Sequence, residues 1–159
     1  MEHLINNFPG QLAEAIDIGR KNKLSFSGKN FSNVVVSGLG GSGIGGTIVS
    51  EIVSDEATAP ILVNKDYFLP AFVNENSLVI ISSYSGNTEE TVNAMQQAIE
   101  KKATVVSITS GGKVVELAQK NNLPYILIPG GMPPRSCLGY SLTQLLFVLN
   151  AAGIISDRF

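Results

Sequence analysis

Cysteine, histidine and charge are all scarce in this sequence. One cysteine, Cys137, occurs in 159 residues. That excludes an internal disulfide framework and suits a reducing compartment. The one histidine, His3, sits beside the N-terminus, far from the glycine-rich and hydroxyl-rich stretches. It reads as a solvated residue, not a catalyst. Charged residues make up 15% and the formal net charge is −2. This gives no basic field for nucleic acid or an anionic membrane, and too little charge for a disordered chain. No apolar run reaches membrane-spanning length, and MEHLINNFPG lacks a signal-peptide pattern. Together these absences read as a soluble, cytoplasmic protein with no nucleic-acid or membrane partner.

What is present is a globular composition, 44% apolar, in a length that holds one core. Residues 1–159 read as a single domain, with 1–30 an N-terminal helix and connector. Leu4, Ile5, Phe8, Leu12, Ala15 and Ile16 recur near helical spacing, and Pro9 marks the first turn of the better helix. Short β-branched runs follow: NVVVSGLG, APILVNK, SLVIISSY, ATVVSITS and PYILIPG. Helices are expected between them over about 43–53, 88–101 and 113–121. Near-continuous apolar strands imply burial on both faces. The expected fold is α/β, a three-layer sandwich with a five-stranded parallel sheet. A proline-rich loop then leads to an apolar helix with Leu142, Leu145, Leu146, Phe147 and Leu149. That helix is core by default, or else a surface that a further domain or subunit covers.

The first stretch that points to chemistry is GLGGSGIGGT, Gly38 to Thr47, with six of the 16 glycines. Gly38-Leu39-Gly40-Gly41-Ser42-Gly43 satisfies G-x-G-x-x-G between a strand and a helix, with the acidic Asp66 after the next strand. That is the dinucleotide pattern. The same physics serves any phosphate: bare backbone lets N–H groups approach an anion at a helix N-terminus. A Walker loop is excluded, because Gly45-Gly46-Thr47 carries no lysine. A tight turn without a ligand also fits, although such a turn needs fewer glycines.

The second stretch is SSYSGNTEET, Ser82 to Thr91. Ser83, Ser85 and Thr88 surround Gly86 at the start of a helix. Asn87 and Glu90 have capping-box-like spacing, and Glu89 and Glu90 suit the positive end of a helix dipole. In a doubly wound sheet of order 2-1-3-4-5, the two stretches face each other across the crevice outside strands 1 and 3. Hydroxyls and amides together suit one phosphoryl group better than a pyrophosphate.

These two stretches, with GMPPRSCLGY from Gly131 to Tyr140, resemble the sugar isomerase (SIS) domain, most closely the N-terminal half of the bifunctional phosphoglucose/phosphomannose isomerases. The resemblance runs from about Val34 to Tyr140. It implies a flavodoxin-like sheet and a hexose 6-phosphate whose phosphate lies between Gly41 and Ser42 on one side and Ser83, Ser85 and Thr88 on the other. It implies that Arg135 stands beside the reacting carbons, where a guanidinium stabilises an enediolate. The implied reaction exchanges glucose 6-phosphate or mannose 6-phosphate with fructose 6-phosphate through a cis-enediol, with no metal or redox cofactor, in a homodimer. The family's catalytic glutamate, ring-opening histidine and lysine belong to a second SIS domain. The chain therefore reads as the N-terminal half of a longer isomerase, inactive alone. A phosphosugar-sensing SIS module of a regulator is the alternative. Cys137 reads as a small core residue, with nothing nearby in sequence to activate it.

Overall fold

The structure, a computed structural model, describes residues 6–156. His3, Leu4 and Ile5, and the readings made of them, lie outside the described residues. Helix α1 (Phe8–Lys21) carries Pro9 in its first turn, where the missing N–H has no intrahelical partner to lose. Arg20 and Lys21 occupy its last turn, at the negative end of the dipole. Its buried residues Gln11, Ala15 and Gly19 recur every four positions and form one stripe.

Five strands follow: β1 (Asn33–Ser37), β2 (Ile61–Asn64), β3 (Ser77–Ser83), β4 (Thr104–Thr109) and β5 (Tyr125–Leu127). They form one parallel sheet of order β2-β1-β3-β4-β5, as expected from the sequence. Helices α2 (Gly40–Ile52), α3 (Glu89–Glu100), α4 (Lys113–Lys120) and α5 (Leu138–Ala151) connect or follow them. Every residue of β1 and β3 is buried, the signature of a strand covered on both faces.

Strand alternation divides the interior into two cores. Val34, Val36, Leu78, Ile80, Val106 and Ile108 pack with Ala15 of α1, Val49 of α2, and Leu145, Val148 and Leu149 of α5. Val35, Val79, Ile81 and Val105 pack with Ala94, Met95 and Ala98 of α3 and Val114 and Ala118 of α4. Thus α1, α2 and α5 cover one face, and α3 and α4 the other. The default reading of the apolar last helix holds: within this chain, residues 138–150 are all buried or half-buried. No helix among the described residues is long and apolar enough to cross a membrane.

Helix α2 begins three residues earlier than the sequence pattern placed it. Gly40 to Gly43 form its first turn and are not a loop ahead of it. With three glycines in four residues, that turn shows no side-chain periodicity to read.

Ile80, fully buried in the central strand, gives a direct test of the two-faced core. Ile80→Ala is expected to remove about 2–5 kcal/mol of stability in urea unfolding. Leu62→Ala, on edge strand β2 and 38% exposed, should remove no more than about 1 kcal/mol.

Candidate functional site

Strands β1 and β3 are hydrogen-bonded neighbours, Asn33 with Ser77 through Ser37 with Ile81. The chain leaves β1 for α2 on one face and leaves β3 for α3 on the other. Neither crossover fills the crevice outside their carboxyl ends, so two segments meet there.

The first is the glycine turn. A β-carbon on Gly43 would stand 2.5 Å from the Gly38 carbonyl oxygen, so a bare backbone is needed for α2 to fold back against the end of β1. The N–H groups of Ser42 and Gly43 donate to Leu39 O at 3.1 and 3.2 Å. Leu39, the N-cap, offers no side-chain acceptor. The two amides before Ser42 therefore point out of the helix with no partner inside it. Lys65, just past β2, runs alongside this turn, with its Cε 3.4 Å from where a Gly43 β-carbon would be.

The second is the hydroxyl loop. Gly86 has φ +67°, and a β-carbon there would lie 1.7 Å from Gly111 O. Only glycine lets this loop press onto the turn that follows β4. Ser85 Oγ accepts the Asn87 N–H at 3.3 Å. Thr88 is the N-cap of α3, and its side chain makes no cap hydrogen bond. The capping-box reading of Asn87 with Glu90 is corrected: Asn87 Oδ1 accepts the Lys113 N–H at 3.0 Å and so caps α4 from a neighbouring loop.

Leu39, Gly40, Gly41 and Ser42 from the first segment face Tyr84, Ser85 and Thr88 from the second across an open cavity of about 240 Å³, with Pro134 at its edge. Of the residues expected to hold phosphate, Gly41, Ser42, Ser85 and Thr88 line it. Ser83 does not. It is 2% exposed, and its hydroxyl donates to Thr88 Oγ1 at 3.4 Å, behind the lining. Arg135 is exposed, with no hydrogen-bond or ion-pair partner among the described residues. Its backbone passes directly over the glycine turn: a β-carbon on Gly41 would lie 3.4 Å from Pro134 O and 3.8 Å from Arg135 Cα.

Tyr84 is the site residue that motif reading passes over. Its hydroxyl accepts the Met132 N–H at 3.0 Å, and its carbonyl accepts the Ser110 hydroxyl at 2.6 Å and the Ser110 N–H at 3.0 Å. Burial, helped by the adjacent Cys137, pushes the phenol above its ordinary value of 10.0, so it stays neutral. The sequence signal was a lone aromatic among small hydroxyl residues. Directly behind the glycine turn, Ser42, Ser82, Tyr84, Cys137 and Ser141 help line a narrow cavity of about 10 Å³, and the buried Ser82 hydroxyl has no hydrogen-bond partner.

The other sequence readings are also placed. Cys137 is 2% exposed, its thiol donates to Pro133 O at 3.4 Å, and burial pushes its pKa up, as suits an unreactive core thiol. Asp66 Oδ1 accepts the Tyr67 N–H at 2.6 Å, and the residue does not line the cavity, which leaves the dinucleotide reading without its ribose contact. Glu89 and Glu90 occupy the first turn of α3, where carboxylates favour the dipole. Among the described residues, no carboxylate or imidazole lines the cavity. Among the described residues, no group of three His, Cys, Asp or Glu side chains could hold a metal ion. The arrangement can bind an anion with amides and hydroxyls, and none of the described residues lining it is a carboxylate or imidazole base.

Comparison with known proteins places these features. The SIS domain family matches residues 69–131. A bifunctional phosphoglucose/phosphomannose isomerase of Caldicellulosiruptor bescii is 44% identical over 151 residues, 95% of this chain and 44% of that protein. One of Thermoplasma acidophilum is 44% identical over 142 residues, 84% of this chain and 44% of that protein. The chain thus spans less than half the length of these relatives. A crystal structure from Clostridium difficile 630, of a protein assigned to the phosphosugar isomerases, superposes with TM-score 0.78 at 22% identity, covering 99% of this chain and 48% of the other.

The buried thiol gives a test of the site's interior. Cys137 should react with a water-soluble disulfide reagent at least ~100-fold more slowly in the native protein than in denaturant, since the thiolate is disfavoured and access needs local opening. Comparable rates in the two states would place Cys137 at the surface.

Proposed function

Because the chain carries a SIS domain homologous to the bifunctional phosphoglucose/phosphomannose isomerases, we propose that the intact protein interconverts glucose 6-phosphate or mannose 6-phosphate with fructose 6-phosphate, and that this chain supplies the phosphate site. The observation that carries the reading is the pairing of two helix N-termini, neither capped by a side chain, with Ser42, Ser85 and Thr88 across one cavity. Amides at a helix start and fixed hydroxyls suit a phosphate dianion. Ser83, though behind the lining, orients Thr88 through its hydrogen bond.

In this reading the phosphate anchors the sugar and leaves C1 and C2 toward the turn that carries Arg135. A base moves a proton between C1 and C2, and negative charge gathers on an oxygen of the cis-enediolate. Arg135, a cation with no carboxylate partner among the described residues, stabilises that charge. The proton transfer involves no net electron transfer, so no redox carrier is called for. Among the described residues the cavity offers no carboxylate or imidazole base, so we assign the base and the ring-opening group to sequence outside this chain, in a second SIS domain or a second subunit of a homodimer. This fits the 44% share of the Caldicellulosiruptor bescii protein that the chain covers.

Two measurements on the intact protein test the reading. Fructose 6-phosphate should raise the melting temperature, inorganic phosphate should raise it less, and fructose and NAD should leave it unchanged. Ser42→Glu should abolish the sugar-phosphate effect while leaving the unliganded melting temperature within about 4 °C of wild type. A normal response in Ser42→Glu would dismiss the two-loop site, and stabilisation by NAD alone would restore the dinucleotide reading. In an isomerase assay, Arg135→Ala should lower kcat by about 10²–10³-fold and change KM less than kcat. Binding without turnover in the wild-type intact protein would instead indicate a sensing module.

A further inference from the structure

We propose that Gln11, on α1 and outside the cavity, is a positioning residue that holds Arg135 over the glycine turn. The inference rests on the reading of Arg135 given above. Arg135 sits in a short 3-10 turn, Pro134–Ser136, which runs through Cys137 directly into α5. Cys137, at the start of α5, provides no side-chain cap. Gln11 provides one from across the fold. Its Nε2 donates to Ser136 O at 2.8 Å, and its Oε1 accepts the Gly139 N–H at 3.0 Å. One side-chain amide thus grips both the residue after Arg135 and the first turn of α5.

The contact is made away from water, with Gln11 5% exposed, where an unpaired amide or carbonyl is costly. It needs a group that donates and accepts at once, which a primary amide does and an aliphatic side chain cannot. The grip is also rigid at its root. Gln144 Nε2 donates to Ala15 O at 2.7 Å, and the Tyr140 hydroxyl donates to the Glu14 carboxylate, so α1 is also tied to α5 one turn beyond Gln11. At its other end the segment is held by Tyr84, whose hydroxyl accepts the Met132 N–H. Between these pins lie Pro133 and Pro134, whose φ angles are fixed by their rings, and then Arg135. Removing Gln11 frees one end of a segment whose task is to keep a cation in place. A displacement of about 1 Å at a reacting centre can lower a rate by as much as ~10²-fold. Gln11 does not line the cavity, so its loss leaves the phosphate contacts intact.

The test is a double-mutant cycle in the intact protein with fructose 6-phosphate: wild type, Gln11→Ala, Arg135→Ala and the double variant. Gln11→Ala is expected to lower kcat by about 10-fold with KM within about 2-fold. In the Arg135→Ala background the same substitution should cost no more than about 2-fold, because residues that act through one another are not additive. Equal losses in both backgrounds, or an unchanged kcat for Gln11→Ala, would overturn the proposal while leaving Arg135 its role. A wild-type kcat for Arg135→Ala would remove both. Gln11→Glu keeps the shape and decides the matter if the alanine variant does not fold. Its carboxylate still accepts from Gly139 but sets charge against Ser136 O, and protonation restores the donor. Its kcat relative to wild type should therefore rise as pH falls through the carboxyl titration, and a ratio flat with pH would overturn the proposal.

Discussion

Val35 stands beside Val79 across the parallel pairing of β1 with β3, and most of what this chain can do depends on that one adjacency. Had β1 been followed in the sheet by β2 on that side, both crossovers would cover the same face and the strand ends would be closed over. With β3 in that place, α2 and α3 depart to opposite faces and their N-termini converge on the gap. The register fixes the rest. Ser37 pairs with Ile81, so β3 runs on through Ser82 and Ser83 beyond the end of β1, and the hydroxyl loop starts further out than the glycine turn. The two segments meet face to face without colliding, at the cost of glycines at the points of closest approach.

The proposed anion site stands in a chain of net charge −2, and the local arrangement shows how the two are compatible. Helix-start amides and hydroxyls carry partial charge in fixed directions, and they need no reorganisation when an anion arrives. Long-range steering is weak in such a protein, since there is no basic field to raise the encounter rate. The nearby cations, Lys65 and Arg135, both lie at the margin of the glycine turn and are exposed. In the proposed reading, a cation outside the phosphate cradle remains available for charge that develops elsewhere on the ligand. That separation is what the proposed chemistry requires of Arg135.

The fold was legible from the sequence because its determinants are local. β-branched runs buried on both faces mark the parallel strands, and turn-rich segments mark their ends. Four of the five residues expected to hold phosphate, Gly41, Ser42, Ser85 and Thr88, line the cavity, and they stood out because they lie in short stretches whose composition is abnormal for a plain turn. Ser83 stands behind the lining, which composition cannot show, because it does not tell that a hydroxyl at the end of β3 points to its neighbour Thr88. Asn87 was misread because a capping spacing along one helix looks the same when the side chain caps another. Tyr84 and Gln11 were invisible in a different way. Their partners are 48, 125 and 128 residues away, and no period or motif connects positions so distant.

The distance between phosphate and reacting carbons in a hexose 6-phosphate gives this division a physical sense. Interactions with a remote, unchanging group raise the rate only if they hold the reacting part in the geometry of the transition state. In the proposed reaction the cradle grips the 6-phosphate, which is the same in glucose, mannose and fructose phosphates, and it touches nothing that distinguishes them. Binding strength from such a cradle is therefore indifferent to the configuration at C2, the carbon whose proton is exchanged. Discrimination and turnover must then arise where C1 and C2 lie, at Arg135 and the groups that complete the site. The value of the cradle depends on how rigidly it is connected to that place. Tyr84 makes the connection directly, since it lines the cavity beside Ser85 and its hydroxyl accepts the backbone N–H of Met132, at the start of the segment that carries Arg135.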